Sequence, residues 1–83
     1  MEFLPAVIEA EYRGDYLIKL TFNDGVAETV DFAQWLDGPV FEPLKDVGYF
    51  QRFFLDGGTV RWPNGADIAP EALNELAKSR QAA

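Results

Sequence analysis

The segment 59–70, TVRWPNGADIAP, holds the side chains of this chain that could best do chemistry. Arg61 and Asp67 carry opposite charges, Trp62 offers an indole N–H, and Asn64 offers both a donor and an acceptor. Such a set could form part of an active site or of a recognition loop for a partner protein. The candidate interaction residues are therefore Arg61, Trp62, Pro63, Asn64 and Asp67.

The same segment also has a purely structural interpretation as a tight connection. Its Pro63–Gly65 sequence is typical of a turn, because Pro fixes φ, Asn tolerates left-handed backbone and Gly supplies a positive φ. The alternation of a strand places Trp62 towards the core and Arg61 on the opposite face. Asp67 is expected to hydrogen-bond backbone N–H groups ahead of the next helix, whose positive end suits its charge. Both interpretations stay open at this point.

Composition removes most catalytic chemistries. The chain has no His and no Cys, and its only Ser is Ser79 near the C-terminus. It therefore lacks the residues of a nucleophile–histidine pair and of a histidine or thiolate metal site. Gly57-Gly58 does not match a phosphate-binding loop, and 23–25 lacks the spacing of a calcium loop. We expect no enzymatic activity, no cofactor and no catalytic or metal-ligating residue.

The net charge of the chain indicates which classes of partner it could bind. Fourteen acidic residues against seven basic ones give a net charge of −7. Binding to nucleic acid or to an anionic membrane needs clustered Lys and Arg, so neither is expected, whereas a basic protein would be attracted. The carboxylates show no spacing of an acid–base pair and are interpreted as solvated surface. The alternative is a small-molecule or divalent-metal-binding domain that uses carboxylates at a sheet edge.

Size and hydrophobic content predict a single small folded domain over residues 1–83. The chain is 48% hydrophobic and 14% aromatic, which is typical of a packed core. No apolar run approaches the roughly 20 residues of a membrane-spanning helix. Glu2 stands where a signal peptide would need positive charge, so we expect a cytoplasmic protein.

The first 32 residues predict a three-stranded antiparallel meander. Ala6–Tyr12, Tyr16–Phe22 and Val26–Phe32 each alternate apolar and other residues. In the first strand the predicted core-facing side comprises Ala6, Ile8, Ala10 and Tyr12. Asp24-Gly25 predicts a hairpin with a type I′ turn, in which both central residues have a positive φ.

The remaining residues predict short helices, a second hairpin and a terminal helix. Asp31–Leu36, Val40–Asp46 and Asp46–Phe53 are short helical or turn segments, the first capped by Asp31. Residues 53–55 and 59–62 flank Asp-Gly-Gly and form a hairpin. A helix over Pro70–Arg80 begins at its proline and lies on the sheet, with its inward face formed by Ala69, Leu73, Leu76 and Ala77. The predicted fold class is α+β.

Aromatic side chains are concentrated in these short segments, and they either close one end of the sheet or leave an apolar interface exposed. They are Trp35, Phe41, Tyr49, Phe50, Phe53 and Phe54.

Three stretches resemble a family of small bacterial proteins catalogued as domain of unknown function number 2442. They are the hairpin LTFNDGVAETVDF (Leu20–Phe32), GPVFEPLKD (Gly38–Asp46) and VRWPNGADI (Val60–Ile68). The resemblance implies a small α+β fold, no established enzymatic activity, and relatives that pair with a second small protein in proposed toxin–antitoxin systems. Relatives tend to carry an acidic residue where Ala69 stands, so the cap of the last helix is weaker here.

Charge and resemblance together predict a non-catalytic interaction module, an antitoxin-like partner of a small basic protein. We expect no direct contact with nucleic acid or membrane.

Overall fold

A computed structural model describes residues 4–82. Its first part is the predicted meander, with strands β1 (Val7–Tyr12), β2 (Leu17–Phe22) and β3 (Ala27–Asp31) in the order β1-β2-β3. Both pairings are antiparallel, and Ile18 of β2 stands between Tyr12 of β1 and Val30 of β3. The α+β class and the meander are confirmed.

The predicted face of β1 is wrong in its first half, because the strand contains a β-bulge. The register passes from Val7 opposite Phe22 directly to Glu9 opposite Thr21, which leaves Ile8 as the extra residue. A bulge shifts the alternation by one residue. Val7 is therefore buried, and the Ile8 side chain is 55% exposed on the outer face of the sheet.

The turn between β2 and β3 is a three-residue loop rather than the predicted type I′ turn. The N–H of Gly25 donates to the carbonyl of Phe22 at 3.0 Å, and the N–H of Phe22 donates to the carbonyl of Val26 at 2.8 Å. Only Gly25, at φ 88°, takes a left-handed conformation in this loop. This is the type I turn followed by a left-handed residue that commonly closes three-residue hairpins.

Three short helical segments follow the meander. A 3₁₀ turn over Phe32–Trp35 begins after Asp31, whose carboxylate accepts from the N–H of Ala33 at 2.9 Å as predicted. A second 3₁₀ turn spans Glu42–Lys45, and helix α1 spans Val47–Phe50.

The second hairpin pairs β4 (Phe54–Asp56) with β5 (Thr59–Arg61) as a separate two-stranded sheet. It abuts the start of β1, since the N–H of Val7 donates to the carbonyl of Gly58 at 2.8 Å.

Helix α2 spans Pro70–Ala82 and packs over β3. Leu73 and Ala77 are fully buried as predicted. Ala69, predicted to face inward, is exposed, because it precedes the first helical turn. Asn74 is only 3% exposed, and the apolar pattern did not single it out.

One core lies between the inner face of the meander, helix α2 and the second hairpin. Most of the aromatics contribute to it, whereas Phe54 remains 45% exposed. The buried side chains with the largest volumes are Trp62, Phe22, Phe32, Phe50, Ile18, Leu20, Leu44, Leu73, Val30 and Val60.

Candidate functional site

Trp62 lies inside the protein, which confirms the core position that strand alternation predicted and removes it from the candidate contact residues. Its ring is 1% exposed and packs 5.6 Å from the Phe50 ring and 5.9 Å from the Phe32 ring. The indole N–H donates to the backbone carbonyl of Phe50 at 2.8 Å. A ring buried in this way cannot touch a partner, so its contribution is to hold β5 and the following turn against helix α1.

Residues 62–66 form a turn of the same kind as the β2–β3 loop. The N–H of Gly65 donates to the carbonyl of Trp62 at 2.9 Å, and Gly65 has φ 90°. Asn64 does not take the left-handed conformation that the sequence suggested. Its side-chain oxygen instead accepts from the N–H of Ala66 at 3.1 Å, which fixes the turn from within.

Asn64 also joins two parts of the chain that are distant in sequence. Its Nδ2 donates to the carbonyl of Val40 at 2.8 Å. Val40 is 51% exposed and Pro63 is exposed as well. The structure thus places Pro63 and Asn64 on the surface beside the loop that contains Val40.

Arg61 and Asp67 meet on one face of the second hairpin. The guanidinium Nη1 of Arg61 lies 2.7 Å from the carboxylate of Asp56, and its Nε lies 3.7 Å from that of Asp67. Phe54 stands opposite Arg61 in the strand register and so shares this face. Asp67 was predicted to hydrogen-bond amides ahead of helix α2, and this is wrong, because the β-bridge between residues 61 and 67 turns its carboxylate towards Arg61.

These contacts place Arg61 between two carboxylates. The Arg61 side chain is 37% exposed, and its Nε is buried without a hydrogen bond within the described residues. A planar guanidinium of this kind presents its remaining N–H donors in a fixed direction. Both carboxylates beside Arg61, those of Asp56 and Asp67, lie within 4.0 Å of its guanidinium.

Asp24 is a structural residue that sequence reasoning treated only as a turn former. Its Oδ1 accepts from the N–H of Val26 at 3.0 Å, while Oδ2 lies 3.4 Å from Nδ2 of Asn74 and 3.6 Å from Nζ of Lys78. The backbone bond from Val26, followed by Asn74 and Lys78, lowers the pKa of Asp24.

Asp24 and Asn64 therefore occupy equivalent places in equivalent turns. Each precedes the left-handed Gly, accepts from the amide two residues later, and uses its other side-chain atom to reach a distant element. The signal was present in the sequence as a repeated Asx-Gly pair, but the spacing alone did not reveal the distant partners.

Residues 4–82 contain no arrangement that indicates a metal centre. The His, Cys, Asp and Glu residues of this part of the chain form no group of three or more that could hold a metal ion. No helix among the described residues is long and apolar enough to cross a membrane.

Comparison with known proteins confirms the family resemblance of the three stretches quoted from the sequence. Neither the curated proteins nor the solved structures contain a match to this chain. A family described as a protein of unknown function, DUF2442, matches residues 7–79. That match covers the meander, both Asx-Gly turns and most of helix α2, and the chain therefore belongs to the DUF2442 family.

Proposed function

We propose that this chain is a non-catalytic interaction module that binds a small basic protein, as an antitoxin-like partner in the bacterial cytoplasm. The observation that supports this role is the distribution of charge over the surface. Most cations are already held by the chain's own carboxylates, whereas many carboxylates are exposed and have no cation beside them.

Five of the seven cations form ion pairs with carboxylates of the chain, and within residues 4–82 Lys19 and Arg52 do not. Arg61 lies between two carboxylates, and four further ion pairs have nitrogen–oxygen distances of 3.2–3.8 Å. Those four pairs are Arg13–Glu11, Lys45–Glu42, Lys78–Asp24 and Arg80–Glu28.

The remaining carboxylates of the described residues lie on the surface without an ion-pair partner within 4.0 Å. A partner protein therefore meets a predominantly negative field, which speeds encounter with a basic surface and repels nucleic acid. The exposed, unpaired carboxylates are Glu9, Asp15, Asp31, Asp37, Asp46, Glu71 and Glu75.

Within this role we assign the specific contacts to the face around Arg61. Arg61 and Asp67 supply a charged pair, and Pro63 and Asn64 supply an exposed turn next to Val40. Trp62 supports these residues from the core and makes no contact itself.

The test is affinity purification of the tagged protein from its own host, followed by native mass spectrometry. We expect a stoichiometric complex with a small basic protein, weakened by added salt because exposed charges are screened. A monomer or homodimer recovered repeatedly under gentle conditions contradicts the proposed function.

The purified pair then tests the assigned face. Arg61→Ala and Asp67→Ala should each fold and should each weaken the complex at least tenfold. The charge-matched controls lie at the 3.2 Å ion pair between Lys45 and Glu42: Lys45→Ala matches the charge change of Arg61→Ala, and Glu42→Ala matches that of Asp67→Ala. Equal affinities for each variant and its control would remove Arg61 and Asp67 from the interaction site.

A further inference from the structure

Asn64 and Gly65 form the only Asn-Gly pair in the sequence. An asparagine followed by glycine can lose its side-chain amide without an enzyme, because glycine has no side chain to hinder approach of its backbone nitrogen to the asparagine Cγ. Both residues are exposed in the structure, so water and hydroxide reach the pair. Sequence and exposure together identify a position at which the chain could change its own covalent structure.

The folded turn holds the groups that this reaction needs. The N–H of Gly65, which must lose its proton before the nitrogen attacks, donates to the carbonyl of Trp62 at 2.9 Å. The Nδ2 of Asn64 is the leaving group, and it donates to the carbonyl of Val40 at 2.8 Å. The Oδ1 of the same amide accepts from the N–H of Ala66 at 3.1 Å, which restrains its rotation. Reaction therefore requires hydrogen bonds of the turn to break first, and the fold opposes it.

We propose that Asn64 is a site of spontaneous deamidation that the folded turn protects and that opening of the turn exposes to reaction. In the opened turn the Gly65 nitrogen loses its proton to hydroxide and forms a bond to Cγ of Asn64. The bond from Cγ to Nδ2 breaks, and Nδ2 takes up a proton from water and leaves as ammonia. The cyclic imide then takes up one water molecule and opens to aspartate or isoaspartate. The sum is one water consumed and one ammonia released, with no change of oxidation state.

The product differs from the original turn in two ways. A carboxylate at residue 64 has no N–H to donate, so it loses the bond to the carbonyl of Val40 and places negative charge beside that oxygen. The isoaspartate form also inserts a methylene group into the backbone, which displaces Gly65 from the position set by its bond to Trp62. The modification alters the surface beside Arg61, but the inference does not rest on the proposed function.

The test follows the full-length protein during incubation at neutral pH, folded in buffer and unfolded in urea, with digestion and mass spectrometry to locate each new acid. Asn23 is the internal control. It is exposed like Asn64 and its side chain also makes two hydrogen bonds, to the N–H of Ala6 and the carbonyl of Leu4, but the side chain of Asp24 follows it and hinders the backbone nitrogen.

We expect Asn64 to react roughly tenfold faster or more in the unfolded chain than in the folded one, because the hydrogen bonds of the turn are then absent. In the unfolded chain it should also react roughly tenfold faster or more than Asn23, since only Asn64 precedes a glycine. Equal rates at Asn64 in the folded and unfolded chain would overturn protection by the turn. Equal rates at the two asparagines in urea would overturn the site itself.

Two variants test opening of the turn without denaturant. Trp62 anchors the turn through its bond to the carbonyl of Phe50 at 2.8 Å, whereas Trp35 donates no hydrogen bond from its indole within the described residues. In buffer, Trp62→Phe should raise the rate at Asn64 roughly threefold or more above that of Trp35→Phe, because loss of the buried bond favours opening. Equal rates would overturn control by opening of the turn. Should Trp62→Phe not fold, the comparison of the unsubstituted chain in buffer and urea still decides the proposal.

Discussion

Replacement of Trp62 by Phe tests whether the WPNG segment is held from the core. The change removes the indole N–H that donates to the carbonyl of Phe50 at 2.8 Å, in a site that is 1% exposed. Phenylalanine cannot supply this donor, so a buried carbonyl loses its partner. It also fills less space, which leaves a small cavity between the Phe32 and Phe50 rings.

The expected loss combines these two effects. An unsatisfied buried carbonyl costs about 1–3 kcal/mol, and the cavity left by the missing indole ring atoms adds roughly 1 kcal/mol, for a total of about 2–4 kcal/mol. A chain of this length is expected to have a free energy of unfolding of about 4–12 kcal/mol. Each kcal/mol lowers the melting temperature of a small domain by about 4–8 °C, so a decrease of roughly 8–32 °C is expected.

Trp35→Phe is the matched control for this measurement. Trp35 is half-buried, packs 5.3 Å from the Phe32 ring, and donates no hydrogen bond from its indole within the described residues. Its replacement should cost at most about 1.5 kcal/mol. Urea unfolding followed by circular dichroism measures both variants with the same probe. Equal losses for the two variants would refute the assignment of a buried, stabilising hydrogen bond to Trp62.

Three further changes test the turns. The pKa of Asp24 is lower in the folded protein, so its carboxylate stabilises the fold above the unfolded pKa, and this gain is lost as the pH falls through the folded pKa. Asp24→Asn should therefore make the free energy of unfolding fall less steeply below about pH 4. An unchanged pH dependence of this free energy in urea unfolding would contradict the prediction. Asn64→Asp keeps the oxygen that fixes its turn but loses the donor to a distant carbonyl, and should cost about 0.5–1.5 kcal/mol in urea unfolding, less than Asn64→Ala. Gly58→Ala should cost more than the neighbouring Gly57→Ala, since both have a positive φ, worth about 1–2 kcal/mol, but only the first places its methyl 3.1 Å from another methyl group. Equal melting temperatures for the two glycine variants would show that this close approach relaxes without cost.

The meander and the order of elements could be predicted from local patterns. Apolar side chains at every second position of residues 17–22 predict the inner face of β2, because successive side chains of a strand point to opposite faces. The proline at the start of α2 and the cap at Asp31 are local signals, since both act within one turn of the residue concerned. The family match confirms that the motifs quoted from the sequence were specific.

The bulge at Ile8 could not be predicted from alternation. Either Val7 or Ile8 could face the core, because both are aliphatic. Val7 takes this position because it packs in the core and because its N–H bonds to Gly58 of the second hairpin. The outward position of Ile8 therefore follows from the tertiary structure.

The sequence by itself determined that this protein is small, acidic, α+β and without the residues of most catalytic sites. These properties depend on composition and on interactions between near neighbours in the chain. Strand alternation predicted that Trp62 faces the core, but only the tertiary structure decided that its indole donates to Phe50, that Asp67 faces Arg61, and that Asn64 reaches Val40. Each of these depends on a contact between side chains and backbone groups that the folded chain brings together, and no pattern of neighbouring residues encodes which partner will be within hydrogen-bond distance.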